Sequence, residues 1–283
     1  MRVATIRTDD GLRAVRVDGA ELVVLPYADV RQLVASGEDW AQRAAGEDGA
    51  RLDLADADFA PVTPMPEKVI CVGLNYGSHA AEASLALPEH PVLFAKYGRS
   101  LIGANDDLAI PAASQQVDWE VELGVVIGRP ARNVSEADAE AYVAGYTIVN
   151  DVSMRDWQLR TSQFLSGKTF EASTPVGPFL VTPDEVDHAR SLRMELSVDG
   201  EVRQAASTAE IHFSVPQIIS YISTIITLMP GDLIATGTPA GVGHCADPPS
   251  YLTPGRTLSC TIEGLGAQTN RCVAAAHDVL QAV

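Results

Sequence analysis

The residues best placed to do chemistry are Glu120 and Glu122, within Asp118-Trp119-Glu120-Val121-Glu122-Leu123-Gly124-Val125-Val126-Ile127. Trp119, Val121, Leu123 and Val125 alternate with Asp118, Glu120, Glu122 and Gly124, the period-two pattern of a β-strand. Side chains two apart on a strand share a face, with Cα atoms about 6.5–7 Å apart. Two like charges held that close repel, and burying them is costly unless a cation compensates. A second strand-like run, Gly145 to Asn150, ends at Asp151, which can supply a third carboxylate. Three converging carboxylates make a hard oxygen site suited to Mg²⁺, Mn²⁺ or Ca²⁺ rather than zinc. The competing reading is a half-solvated strand whose polar face carries acids.

Other residues could join such a site. His79 and Glu82 are three apart in Asn75-Tyr76-Gly77-Ser78-His79-Ala80-Ala81-Glu82. On a helix they share a face, so Glu82 could hold one ring nitrogen and leave the other to take a proton from water. A solvated surface pair is the alternative. Lys96 and Lys168 each sit beside small residues in apolar neighbourhoods, where an ammonium could meet a substrate carboxylate or offset surplus acid; for a lone lysine the default reading is a snorkelling surface residue. Arg155 and Gln158, just after Asp151, offer a guanidinium and an amide for carbonyl or carboxylate oxygens. The loop Thr236-Gly237-Thr238-Pro239-Ala240-Gly241-Val242-Gly243 lacks the Lys-Ser/Thr ending of a P-loop and the glycine spacing of a dinucleotide fingerprint. It reads as a tight turn that lets Thr238 and the backbone approach a ligand. A nucleophile elbow and an HExxH zinc motif are both absent.

These residues must be positioned by a chain of 283 residues with 46% hydrophobic content, enough for a substantial core. A formal charge of −17, from 37 acids against 20 bases, argues against nucleic acid as partner. No basic amphipathic stretch suggests a membrane surface, and Val215 to Met229 is too short and polar to span a bilayer. The N-terminus reaches Asp9 and Asp10 before a signal-peptide core could form. Cys71, Cys245, Cys260 and Cys272 have no metal-ligand spacing and read as reduced thiols of a cytoplasmic protein. Strand-like runs at Val3–Arg7, Leu12–Val17 and Glu21–Leu25 precede an amphipathic stretch from Ala28 to Ala44. An acidic tract then meets Pro61, Pro64 and Pro66, which places a boundary near residue 62. Beyond it the spacing predicts a buried strand over Lys68–Gly73 and helices over Ser78–Leu87, Ser135–Val143 and Val215–Leu228. A hairpin is expected at Arg193–Val198 and Glu201–Gln204, turning at Asp199-Gly200. Numerous short strands and few long helices favour a mostly β (α+β) core with peripheral helices.

The sequence resembles the fumarylacetoacetate hydrolase family. The resemblance rests on the collinear segments VGLNYGSHAAE (72–82), PVLFAKYGRSLIG (91–103), DWEVELGVVIG (118–128), GYTIVNDVSMRDWQ (145–158), GKTFEASTPVGP (167–178) and PGDLIATGTPAGVG (230–243). It implies a mixed β-sandwich roll over residues 63–283, with residues 1–62 as a small N-terminal α/β domain, and a homodimer. By the same resemblance Glu120, Glu122 and Asp151 fall on metal-ligand positions for Mg²⁺ or Mn²⁺. His79 and Glu82 fall on a water-activating dyad carried by a lid segment, and Lys168 beside the metal. Arg155, Gln158 and Thr238 match substrate-contacting positions, and Lys96 lies in a recurrent motif. Gly77 and Ser78 depart from the arginine or acid common there, which bears on lid-side specificity. The implied activity is hydrolysis of a carbon–carbon bond in a small anionic 2,4-dioxo acid of acylpyruvate or fumarylpyruvate type, through a metal-bound enolate, as in aromatic-compound catabolism. The alternative is decarboxylation or tautomerisation of oxaloacetate, or another enolate-type lyase or isomerase reaction on a small 2-oxo acid. The acyl tail is not legible.

Overall fold

The computed structural model describes residues 1–275, and their architecture is mostly β with a few helices. Apolar alternation near the N-terminus produces three antiparallel strands, Arg2–Thr8, Gly11–Asp18 and Glu21–Val24. Arg2–Thr8 then pairs with Thr174–Val181, so these strands extend the sheet that carries the acids. From edge to edge that sheet runs Arg51–Asp53, Glu21–Val24, Gly11–Asp18, Arg2–Thr8, Thr174–Val181, Val143–Asn150, Val121–Ile127, Leu233–Ala235, Val69–Gly73 and Val92–Lys96. Leu101–Ile102 joins it as a short parallel partner of Thr174–Val181. A second sheet of five strands runs Glu201–Ser207, Arg193–Val198, Thr257–Ile262, Gly266–Ala274 and Leu108–Ile110.

Every residue of Val121–Ile127 is buried. Val121, Leu123, Val125 and Ile127 pack with the second sheet (Leu196, Leu258, Cys260) and with the helix Val215–Ile225. On the opposite face Val126 packs with Val149, Leu233 and the N-terminal helices Val30–Ala35 and Trp40–Gly46 through Val30, Leu33 and Trp40. A strand covered on both faces has no solvated side, so the half-solvated reading of its acids fails.

The hairpin forms as expected: Asp199 and Gly200 take φ of 52° and 82°, the two left-handed residues that a type I′ turn requires. Other boundaries differ from expectation for local reasons. The strand expected over 118–127 breaks at Trp119-Glu120, with Val117–Asp118 pairing instead with Ser153–Met154. The amphipathic stretch 28–44 is two helices, because Gly37 at φ 137° turns the chain between them. The helix expected over 78–87 spans Gly77–Glu82. Ser84 enters the left-handed region at φ 57°, and the Leu85 N–H returns to the Ala80 carbonyl, closing the last turn. Glu136–Tyr142 is a 3-10 helix capped by Ser135. Val215–Ile225 starts at a Ser214–Gln217 capping box and stops where Ile226 becomes extended; Leu228 is already bridged to Ala131. Among the described residues, no helix is long and apolar enough to cross a membrane.

Gly167 lets the short helix Leu165–Lys168 lie directly on Arg155–Gln158. A Cβ there would stand 2.3 Å from the Gln158 nitrogen. Gly167→Ala is expected to destabilise the fold by about 1–3 kcal/mol through overpacking. Gly46→Ala, at a helix end with nothing within 4 Å of the new carbon, is the control. Thermal melts should show the first transition lowered and the second unchanged or raised.

Candidate active site

The register Val121↔Asn150 and Glu122↔Val149 brings the start of one strand against the end of its neighbour. The Asp151 N–H donates to the Glu120 carbonyl at 2.9 Å, and the Glu120 N–H to Asn150 Oδ1 at 3.0 Å. Asp151 thereby stands beside Glu120 and Glu122, and one carboxylate oxygen from each of the three lies within 4.8 Å of the others. All three are buried.

Their counter-ions are unevenly distributed. Lys168 Nζ donates to Glu120 Oε2 at 2.5 Å and to Asp151 Oδ2 at 2.9 Å. Lys96 Nζ donates to Asp151 Oδ1 at 2.7 Å and to the Val152 carbonyl, and Lys96 is not among the residues that line the cavity. Arg155 Nη2 makes an ion pair with Glu120 Oε1 at 2.7 Å, while its Nε donates to Asp118 Oδ2 and its Nη1 to Gln158 Oε1. Glu122 meets no cation; its Oε2 accepts the Gly237 N–H at 2.8 Å. That approach needs glycine, since Gly237 has φ 100° and a Cβ would fall 2.7 Å from the Asn75 Cβ.

The electrostatics follow. Burial pushes the Glu120 carboxyl up, but Lys168 and Arg155 outweigh it and hold the group at about 2. Burial, reinforced by the charges of Asp151 and Glu120, pushes Glu122 well above the usual carboxylate range. Burial works against the Lys168 ammonium, yet Asp151 and Glu120 keep its pKa above the ordinary lysine value, so it stays charged. Four buried acids (Asp118, Glu120, Glu122, Asp151) thus face three buried cations (Lys96, Arg155, Lys168). A triad of hard oxygens, one of them without a positive partner, fits a divalent cation of the Mg²⁺ or Mn²⁺ type.

His79 and Glu82 face the same cavity, of about 380 Å³. His79 Nδ1 lies 2.7 Å from Glu82 Oε1, and Glu82 Oε2 accepts the Gly241 N–H at 2.9 Å. With the proton on Nδ1, Nε2 is left as a base. Arg155, Gln158, Lys168 and Thr238 also line the cavity. The Thr238 hydroxyl donates to the Val121 carbonyl and accepts from Gln204 Nε2, so it fixes the loop. Nine of the ten residues singled out in the sequence therefore converge on one cavity or its ligand triad, and Lys96 reaches the site only through its ion pair with Asp151.

Sequence reasoning missed Asp118, which ties the site together by accepting from Arg155 Nε and from the Gly243 and His244 N–H groups. An acid two residues before Glu120, together with an arginine four residues after Asp151, was the available signal. It also missed Gln204, Asn150 and His244. Burial and the Arg155 charge lower the pKa of His244, and its Nδ1 pairs with the Tyr251 hydroxyl.

Residues 68–273 match the family of the fumarylacetoacetate (FAA) hydrolase C-terminal domain. The chain belongs to the fumarylacetoacetate hydrolase family. Within it, the mitochondrial oxaloacetate tautomerase FAHD2A of Homo sapiens is 43% identical over 236 residues, covering 82% of this chain and 75% of that protein. Among solved members, the fumarylacetoacetate hydrolase of Exiguobacterium antarcticum superposes with a TM-score of 0.85 at 32% identity, covering 97% of this chain and 99% of that one. The maleylpyruvate hydrolase of Sphingobium sp. SYK-6, solved with manganese(II) and pyruvate, superposes at 0.80 with 29% identity, covering 98% and 100%.

The unpaired charge on Glu122 generates a prediction. A carboxyl whose folded pKa is raised disfavours the folded state progressively as pH climbs above its unfolded value of 4.5. In EDTA, Glu122→Gln should melt above the parent at pH 8, by roughly 2–4 °C for each kcal/mol relieved, with little gap at pH 4.5. Added Mn²⁺ should raise the melting temperature of the parent and leave the variant unmoved. A variant that melts with the parent at both pH values, or responds equally to Mn²⁺, would refute the charge imbalance.

Proposed function

We propose that this chain is a divalent-metal-dependent hydrolase that cleaves the C3–C4 bond of acylpyruvate-type 2,4-dioxo acids. The observation that carries the reading is the His79–Glu82 pair, hydrogen-bonded and facing the buried carboxylate triad across one cavity. Glu120, Glu122 and Asp151 would hold Mg²⁺ or Mn²⁺, which would supply Lewis acidity and charge neutralisation toward the oxygens of a 2-oxo acid.

The chain's own residues do the rest. Arg155, braced by Asp118, and Gln158 present donors to the substrate carboxylate. His79 Nε2 takes a proton from water as the water oxygen adds to C4, and Glu82 holds Nδ1–H and offsets the imidazolium charge. The C3–C4 bond then breaks, leaving a carboxylic acid and the enolate of pyruvate. The charged Lys168 lies where it opposes that developing charge, an electrostatic role and not a basic one. His79 returns its proton to C3, so water and acylpyruvate give acid and pyruvate in balance. Four cysteines without disulfides fit a reducing compartment such as the cytoplasm.

A second reading is keto–enol tautomerisation of oxaloacetate, favoured by the activity for which the human relative is named. It needs proton transfer but no attacking water.

Purified protein with Mg²⁺ should release pyruvate and free acid from a simple acylpyruvate, and EDTA should abolish the release. His79→Ala should lose about 10²–10⁴-fold in kcat. Unchanged turnover in that variant would remove His79 from the mechanism. Accelerated decay of the oxaloacetate enol, with acylpyruvate untouched, would replace hydrolysis by the tautomerase reading.

A further inference from the structure

The cavity changes character from floor to mouth. Its floor is buried and charged, with Glu120, Glu122, Arg155 and Lys168. Its mouth is apolar and wet: Leu85 is 54% exposed and Leu159 60%, and both line the cavity. Between them stand Leu74, Phe94 and Phe164, the two rings packed edge-on at 5.7 Å between centroids. Large side chains of this kind gain free energy when an apolar group covers them.

Among the described residues no free cation waits at that mouth. His244, which lines the cavity, pairs through Nδ1 with the Tyr251 hydroxyl, and burial and the Arg155 charge disfavour its protonation. The chain has three lysines: Lys68 pairs with Glu67 and Asp232, and Lys96 and Lys168 pair with the triad. Arg155 is held by Asp118, Glu120 and Gln158. Arg160, next to Leu159, is folded onto Trp157 with its guanidinium carbon 3.6 Å from the ring centroid, and its Nε donates to the Asp156 carbonyl. His79 is held by Glu82, whose own charge lies at the cavity wall. The chain's net charge of −17 adds a field that disfavours a second anionic group on an incoming ligand.

We infer that the site selects 2-oxo acids bearing one carboxylate and an apolar tail, with Leu85, Leu159 and Phe164 as the tail-binding residues and a carboxylate at the far end of the tail rejected. This specificity rests on the hydrolase reading for its reaction but not for its binding, and the two separate experimentally.

The test uses the full chain with Mg²⁺. Titration calorimetry compares 2-oxooctanoate with 2-oxoheptanedioate, which match in reach and differ in whether the tail ends in a methyl or a carboxylate. In parallel, kcat/KM is measured for acylpyruvates with acyl chains of two to six carbons. The alkyl acid should bind at least about tenfold more tightly than the dicarboxylate, whose distal charge finds no partner. Across the acyl series kcat/KM should rise about fourfold per methylene until the mouth is covered. Leu159→Arg, at an exposed position, should shift the binding ratio toward the dicarboxylate by about fivefold or more. If no acylpyruvate turns over yet the alkyl acid binds better, the hydrolase reading fails and the tail selectivity stands. Equal or tighter binding of the dicarboxylate, or no binding of either acid, overturns the selectivity whatever the turnover shows.

Discussion

A carboxylate buried without a cation is the constraint around which this molecule is organised. Glu122 is 2% exposed, flanked by two further acids, and held by a single backbone amide. Such a group is unfavourable in a low-dielectric interior unless positive charge arrives. The surrounding design limits that cost without removing it. Lys168, Lys96 and Arg155 neutralise Asp151 and Glu120, Asp118 braces Arg155, and Gly237 gives Glu122 its one donor. What remains is a local deficit of positive charge beside three hard oxygen donors, and that deficit defines what the cavity can take up.

The sheet makes the constraint possible. Carboxylates this close must be held by something stiffer than a loop, and two antiparallel strands covered on both faces provide it. One face of Val121–Ile127 packs on the second sheet and the other on N-terminal helices. The N-terminal strands continue the same sheet through Thr174–Val181, so the stiffness around the triad draws on residues far apart in the chain. Apolar packing thus bears part of the free energy by which acids stay together in the metal-free fold.

How much of this was legible in the sequence follows from which forces act locally. Strand alternation and i,i+3 spacing are local, so the Glu120/Glu122 pair, the His79–Glu82 pair and the Asp199-Gly200 hairpin could be read directly. The break at Trp119-Glu120 could not, because it arises where Val117–Asp118 leaves to pair with Ser153–Met154. Nor could the burial of both strand faces, which depends on which elements arrive from elsewhere. Asp118 looked like one more polar position in an alternating strand; its importance lies in reaching Arg155, Gly243 and His244, three partners on two distant segments. Lys96 illustrates the converse. Its residue type suggested a substrate contact, while at the end of the edge strand Val92–Lys96 its ammonium is spent on Asp151 and the Val152 carbonyl.

Hydrolysis and tautomerisation make the same demand on one part of this site, a proton carrier beside the triad. Few groups can meet it. Lys168 is kept charged by two carboxylates, Arg155 never deprotonates, and Glu120 is too acidic to act as a base near neutrality. Glu122 belongs to the triad itself. Of the two histidines lining the cavity, His244 pairs with the Tyr251 hydroxyl, while His79 is oriented by a carboxylate, Glu82. His79 is carried on the six-residue helix Gly77–Glu82, whose one buried side chain is Ala80. Such a short element has little core contact of its own. Its position is set by the Glu82 carboxylate reaching the Gly241 N–H, while the Gly241 carbonyl accepts from Trp119 Nε1 beside the triad. The dyad and the metal-type site therefore hang on opposite sides of one residue. What separates the two reactions is the attacking water, which hydrolysis needs and tautomerisation does not. Under the hydrolase proposal, an acyl tail beyond C4 would extend from the charged floor toward Leu85 and Leu159, which line the same cavity. Oxaloacetate, which ends in a carboxylate at C4, carries no such tail, so a gain in affinity with tail length is the property that would set the two substrates apart in this cavity.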